Sequence, residues 1–348
     1  MKAILVGNGQ IAKTHLYALR ALGHEVEWVV GRDAARARAF SEAHGIPKAG
    51  ADLAQALECG ADTVHICTPP LLHTEQILQC LAAKKHVISE KPLCLSAEDA
   101  AMLAAQARAS ECVTALCLNV RFYEANCEAM RAIRAGRIGR PLVLHGSYQQ
   151  SFHAPPHADG WRFDPGQAGD QRAIGEIGTH WIDLAHAWTG QTITAVAAAL
   201  GNWYPTRYRR DGMLFDAPPG EPVSVETEDA AAVALRFSDG AIGTLLLSEV
   251  SHGHFNDLTL EVAGTDGTLR WEELYPDALF YARSGATERL SFDPAPREQT
   301  FVRLFEQVYA AIAKKAHAPF PTFDDGAYLA RVCAAIRKSG VDGGWVNV

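Results

Sequence analysis

The sequence predicts an α/β protein: an N-terminal doubly wound parallel sheet over residues 1–122, then an α+β domain over 123–348 with a mainly antiparallel sheet. Three observations carry this. Up to Phe122, short apolar runs alternate with helical patterns, as βαβ units do. A glycine-rich turn joins the first apolar run to the first helical pattern. After Phe122 the apolar runs lengthen and are linked by short turns of hairpin type. With 348 residues, 48% of them hydrophobic, the chain can fill two cores.

The elements follow in order. Ala3–Val6 reads as a strand and Thr14–Leu22 as part of a helix. Val26–Val30 is a second strand, and Asp33–His44 an alanine-rich helix. Thr63–Cys67 is a further strand, His73–Ala83 a helix, His86–Ile88 a strand. Ala97–Ala109 is helical and Val113–Leu118 closes the sheet. Beyond Phe122, a helix over Tyr123–Ala135 precedes strand candidates at Leu142–Tyr148, Ala195–Leu200, Ala230–Phe237, Ala241–Val250, Thr259–Ala263 and Thr268–Trp271. Ser238-Asp239-Gly240 and Gly264-Thr265-Asp266-Gly267 read as hairpin turns. Two stretches, roughly 149–175 and 202–226, read as long loops rich in Pro, Gly and aromatics.

Charge and cysteine usage narrow the function. A net charge of −8, with no run of like charges, argues against a nucleic-acid binder. No apolar run is long enough to span a bilayer, and the start MKAILVGNG is too short for the core of a signal peptide. Seven of the eight cysteines fall between Cys59 and Cys127, and none forms a CxxC pair. They read as small buried hydrophobes kept reduced, so a cytoplasmic location is expected.

The chemistry starts at Gly7-Asn8-Gly9-Gln10-Ile11-Ala12, a G-x-G-x-x-A turn between a strand and a helix. Gly7 permits the turn, Gly9 lets the backbone approach a pyrophosphate, and Ala12 allows close helix packing. This is the fingerprint of a Rossmann dinucleotide-binding unit. The second strand ends in Val30-Gly31-Arg32-Asp33. Gly31 holds the place where NAD enzymes carry an acidic residue for the ribose, and Arg32 suits a 2′-phosphate. NADP is therefore favoured over NAD. Asp33 either caps the next helix or accepts from the ribose itself. Thr68-Pro69-Pro70 closes another strand where ligands bind in such sheets, or merely stops it.

Glu176-Ile177-Gly178-Thr179-His180-Trp181-Ile182-Asp183 reads as a helix. Helical spacing would put Glu176, His180 and Asp183 on one face, and Ile177, Trp181, Leu184 and Trp188 on the other. A neutral imidazole beside a carboxylate suits proton transfer from a hydroxyl. The same three side chains could also hold zinc, the less favoured reading. Trp161 and Arg162, in the first long loop, suit a sugar. Tyr148, His153 and His157 are weaker candidates for the same wall, the two histidines reading as loop residues.

Together with His86-Val87-Ile88-Ser89-Glu90-Lys91-Pro92, these motifs stand in the order and spacing of the Gfo/Idh/MocA oxidoreductases, which the whole chain resembles. The resemblance implies an NAD(P)-dependent dehydrogenase of a sugar, glycoside or cyclitol. It implies Lys91 at the nicotinamide and the substrate hydroxyl, often behind a cis Lys-Pro bond, and His180 as general acid/base. Relatives usually have Asp where this chain has Glu176, which leaves Glu176 as a catalytic partner, an orienting group or a substrate ligand. Thr68, Pro69, His73, Glu90 and Asn119 are expected at the cofactor and Asp183 at the substrate; Arg121 is expected to support the substrate, the cofactor or the linker, or to be purely structural. Two other functions stay open: a lyase or glycosidase that oxidises transiently on bound cofactor, and a non-catalytic dinucleotide-bound regulator. A homodimer or homotetramer is expected, since an apolar sheet face needs a cover.

Overall fold

The computed structural model describes the backbone of all 348 residues and the side chains of all but Pro165 and Ala168. The first half runs β1 (Lys2–Val6), α1 (Gln10–Ala21), β2 (Glu25–Val30), α2 (Ala34–His44), β3 (Lys48–Gly50), α3 (Leu53–Leu57), β4 (Thr63–Ile66), α4 (His73–Ala82), β5 (His86–Ser89), α5 (Ala97–Ala109) and β6 (Thr114–Leu116). All neighbouring strands pair in parallel, in the order β3-β2-β1-β4-β5-β6. Ile4, Leu5, Val64, Ile66, Val87 and Ile88 are fully buried, because helices cover both faces of such a sheet.

The second half runs α6 (Glu124–Arg134), β7 (Pro141–Gln149), β8 (His157–Ala158), α7 (Pro165–Ala168), α8 (Thr179–Thr189), β9 (Ile193–Gly201), β10 (Thr206–Arg210), β11 (Met213–Phe215), β12 (Glu221–Ser224), β13 (Ala230–Phe237), β14 (Ile242–Ser248), β15 (Asp257–Gly264), β16 (Thr268–Glu272), β17 (Ala278–Arg283) and β18 (Ala286–Ser291). It ends with α9 (Glu298–Ile312), α10 (Phe323–Asp342) and β19 (Trp345–Asn347). The large sheet has nine strands, β18-β17-β16-β15-β7-β14-β13-β9-β19, and only β7 and β14 pair in parallel. Both expected hairpins close, with Phe237 N–H donating to Ala241 and Gly264 N–H to Gly267.

Three expectations need correction. The second domain does not run unbroken over 123–348. Two compact units form, Met1–Phe122 with Pro296–Ala330, and Tyr123–Ala295 with Arg331–Val348. The cause is α9, whose Phe301, Leu304, Phe305, Val308 and Tyr309 join the core of Leu5, Leu16, Leu19, Ile88 and Phe122. The stretch 202–226 is not a loop, because β10, β11 and β12 pair there with β8 as a separate four-stranded sheet. The third correction concerns Glu176. Residues Ile174–Gly178 form a π-helical turn, and the α-helix starts only at Thr179. Such a turn is wider than an α-helical one, so Glu176 sits on a π-turn and not on the α-helix that carries His180.

Candidate cofactor and substrate sites

In the first unit the site lies at the C-terminal ends of the parallel strands. Gly7 has φ +113°, and a Cβ there would lie 2.6 Å from the Cys67 carbonyl oxygen, so only glycine fits the turn. Its N–H donates to Val30 at 2.7 Å and ties β1 to β2. A Cβ on Gly9 would meet nothing within 4 Å. Gly9 caps α1 with no side-chain capping bond, and the first turn holds no acidic residue. Unpaired N–H groups and the positive end of a twelve-residue helix therefore face open space, which is what a diphosphate requires. Gln10 is exposed, Asn8 and Ile11 are half-buried, and Ala12 is buried against the core.

Gly31 sits in a tight space that the sequence did not reveal. A Cβ there would stand 3.1 Å from Asn8 Nδ2 and 3.2 Å from Ala37 Cβ, so Asn8 fills the space a larger residue would take. Arg32 is exposed. Asp33 is the N-cap of α2: its Oδ1 accepts the Arg36 N–H at 2.9 Å, and that bond draws its pKa down.

Thr68 Oγ1 donates to Gln76 Oε1 at 2.6 Å, and Pro69 is half-buried beside it. His73 is buried, with Nε2 2.8 Å from the Thr68 carbonyl and Nδ1 3.0 Å from the Pro92 carbonyl; burial pulls its pKa down. It braces the two loops rather than opening into solvent. Lys91–Pro92 is cis. Glu90 Oε2 accepts the Lys91 N–H at 3.3 Å, and Glu90 Oε1 lies 3.0 Å from His15 Nε2. Asn119 Nδ2 donates to Thr300 Oγ1 of α9 at 2.8 Å, and Arg121 Nη2 to Asp325 Oδ1 at 2.8 Å. Both side chains thus hold the returning segment 296–330.

In the second unit, α8 carries His180 and Asp183, both buried, and the turn before it carries Glu176. The expected apolar stripe of Ile177, Trp181, Leu184 and Trp188 is buried as read. Trp181 Nε1 donates to the Thr259 carbonyl at 2.9 Å, which docks α8 on β15. Tyr148 of β7 places its ring 6.2 Å from the His180 ring. Arg162 bonds Glu176 and lies 4.5 Å over the Trp161 ring, so the three candidates from two segments form one cluster.

Sequence reasoning missed the support beneath this cluster. Arg172 and Arg207, both fully buried, pair with Asp229 and each lie over the Phe163 ring, at 4.8 and 4.7 Å. Glu228 Oε1 accepts the N–H groups of Arg172 at 3.0 Å and Ile174 at 2.8 Å, just ahead of the π-turn. Burial raises Glu228 to about 7. His153 Nδ1 lies 2.8 Å from Glu249 Oε2, while His157 pairs with Arg207 and is pulled by burial to about 4. His157 is a buried tie of the small sheet, and His153, half-buried, packs its ring against His157. Asp229 lies 22 and 57 positions from its two arginines, beyond any local pattern.

The comparisons agree with this geometry. Residues 1–117 match the family model of the oxidoreductase family with an NAD-binding Rossmann fold, and 127–270 match the GFO/IDH/MocA C-terminal domain. Levoglucosan dehydrogenase of Pseudarthrobacter phenanthrenivorans is 30% identical over 312 residues, 82% of this chain and 79% of the relative. The 1,5-anhydro-D-fructose reductase of Ensifer adhaerens is 28% identical over 350 residues, 97% of this chain and 96% of the relative. A solved structure of levoglucosan dehydrogenase with NADH and levoglucosan superposes with a TM-score of 0.92 at 26% identity, over 100% of this chain and 99% of that one. The phosphate-ready turn at Gly7–Ala12, the parallel six-stranded sheet and the mixed nine-stranded sheet are thus those of an oxidoreductase, and the chain belongs to the Gfo/Idh/MocA family.

Proposed function

We propose that this oxidoreductase is an NAD(P)-dependent dehydrogenase that oxidises or reduces a secondary hydroxyl of a sugar, glycoside or cyclitol. The carrying observation is the uncapped, acid-free N-terminus of α1 behind Gly9, which fits a dinucleotide diphosphate. When bound, the nicotinamide supplies the hydride acceptor or donor. The chain's residues do the rest. The α1 amides hold the diphosphate. Lys91 places a cation at the reacting oxygen and favours its alkoxide character. His180 takes or returns the hydroxyl proton. Glu176 orients this chemistry, and Trp161 and Arg162 offer an aromatic face and hydrogen-bond donors to a polyhydroxylated ring. Similarity to enzymes named for levoglucosan and 1,5-anhydro-D-fructose supports the substrate class.

The preferred cofactor in this reading is NADP. Asp33 is committed to capping α2, which leaves exposed Arg32 as the group able to meet the adenine ribose. The chain acts as a homo-oligomer through the outer face of the nine-stranded sheet. There Val143, Ile242, Leu246 and Trp345 are exposed beside Ala197, Ala199, Ala232 and Ala234. Eight free cysteines suit a cytoplasmic setting, and among the described residues no helix is long and apolar enough to cross a membrane. A screen of sugars, glycosides and inositols with each cofactor, following the absorbance of reduced nicotinamide, tests the reading. Stoichiometric cofactor reduction is expected. Substrate turnover without release of reduced cofactor would replace it with transient oxidation.

A further inference from the structure

Beneath Glu90 runs a buried line of polar groups that the proposed chemistry does not use. Glu90 Oε1 lies 3.0 Å from His15 Nε2. His15 Nδ1 lies 3.0 Å from His65 Nδ1, and His65 Nε2 lies 3.0 Å from the Tyr309 hydroxyl. That hydroxyl is 2.8 Å from Thr63 Oγ1. His15, His65 and Thr63 are completely buried, and Phe301 and Phe305 wall the two imidazoles. Groups buried this deeply require hydrogen-bond partners, and here each has one in its neighbour.

Counting protons fixes the direction. Two imidazoles meeting at Nδ1 need one donor and one acceptor, so exactly one of them carries a proton there. If the His15–Glu90 pair holds one proton, it sits on His15 Nε2 and points at the carboxylate. His15 Nδ1 then accepts from His65 Nδ1–H, His65 Nε2 accepts from Tyr309, and Tyr309 accepts from Thr63. If the pair holds two protons, whether shared between both groups or both on His15, then His15 Nδ1–H donates outward. His65 must become Nε2–H, Tyr309 then donates to Thr63, and Thr63 donates to the Lys2 carbonyl 3.3 Å away. The one-proton state is the better placed. Glu90 receives a second donor, the Lys91 N–H, which suits a carboxylate that accepts at the end of the line. Burial also holds His65 well below the usual range, hence neutral.

We propose that Thr63, Tyr309, His65 and His15 form a one-way hydrogen-bond chain ending on the Glu90 carboxylate, and that these are positioning residues that hold the peptide of Lys91 in place. In this direction each link donates toward Glu90, Thr63 giving its proton to Tyr309 at 2.8 Å in preference to the Lys2 carbonyl at 3.3 Å, and adding one proton at the Glu90 end reverses the whole line as far as Thr63. The chain is a geometric claim in its own right; its meaning for catalysis rests on the reading of Lys91 above. Its test needs no turnover, so the two can fail separately.

The experiment is side-chain ¹⁵N NMR of the full-length protein, with His15 and His65 assigned from single variants. In the wild type at neutral pH, His15 should be protonated at Nε2 and His65 at Nδ1, the tautomer that free histidine disfavours. In Glu90→Gln, the carboxamide oxygen keeps the Lys91 N–H and its NH₂ faces His15 Nε2. His65 should then switch to Nε2–H, although it does not touch residue 90. Wild-type His65 protonated at Nε2, or a His65 tautomer unchanged in Glu90→Gln, overturns the proposal. Should Glu90→Gln not fold, Tyr309→Phe serves: it removes the donor to His65 Nε2, whose resonance should move toward that of an unbonded lone pair, and no movement overturns the proposal. Cys117 Sγ lies 3.7 Å from His15 Nε2, so His15, Glu90 and Cys117 could instead hold a metal. Stoichiometric zinc in the purified protein would also overturn the chain, because Nε2 would then be a ligand without a proton.

Discussion

Arg162 Nε stands 3.1 Å from Glu176 Oε2, and so joins the aromatic turn at Trp161–Phe163 to the π-helical turn that precedes α8. The Arg162 side chain is partly exposed while that of Glu176 is largely buried, so the pair fixes the carboxylate more than it stabilises the fold. Glu176→Gln keeps the shape and removes the charge. It should lower kcat by about 10–10²-fold with little change in KM, because an orienting group acts on the transition state. A raised KM with unchanged kcat would instead assign Glu176 to a substrate hydroxyl.

Lys91→Ala should reduce turnover by about 10²–10⁴-fold while the circular dichroism spectrum and melting temperature stay near those of the wild type. His180→Ala should lose a similar factor, and added zinc should restore nothing. Recovery with metal would point to a metal centre on α8.

Arg32→Ala tests cofactor choice. NADP should bind the wild type about tenfold or more tighter than NAD, since ~1.4 kcal/mol is a factor of ten. The variant should lose most of that preference and keep its affinity for NAD. Calorimetric titration of both cofactors decides the matter, and tighter NAD binding by the wild type would assign the ribose to Asp33.

Glu228 and His157 should leave opposite marks on stability. Glu228 is raised from 4.5 to about 7, so between those values the folded state binds the extra proton and stability falls as pH rises. The full effect is on the order of 3 kcal/mol. His157 is lowered from 6.5 to about 4, so over that window the unfolded state binds the extra proton and stability rises with pH. The two slopes overlap and oppose each other between about pH 4.5 and 6.5. Glu228→Gln, whose amide oxygen can still accept from Arg172 and Ile174, should uncover the rising slope in urea melts. Identical slopes in variant and wild type would show that Glu228 does not titrate there.

Lysine at both Ile242 and Leu246 should convert the protein to monomers in light scattering without altering the fold. The two positions lie on the outward face of β14, four residues apart along the strand. An unchanged mass would place the subunit contact elsewhere.

What the sequence made legible was local. Gly7–Ala12 announces a phosphate turn because each glycine answers a need within its own few residues. The stripe Ile177, Trp181, Leu184 and Trp188 was visible because burial on one helix face leaves a period. The π-turn was hidden, since widening one turn changes no residue type. The hydrogen-bond chain was half visible: His65 interrupts the wholly buried strand Thr63–Ile66, but its partner Tyr309 lies 244 positions away. Likewise nothing near Arg172 advertises Asp229.

The return of residues 296–330 to the first unit has a consequence for synthesis. A ribosome releases β1 to β6 long before it makes α9, and until then the surface that Phe301, Phe305 and Tyr309 will cover is bare. At 5–20 residues per second that interval is about 10–40 s. The nascent first unit must wait through it with an apolar face open, which makes this chain a poor candidate for dissection at residue 122.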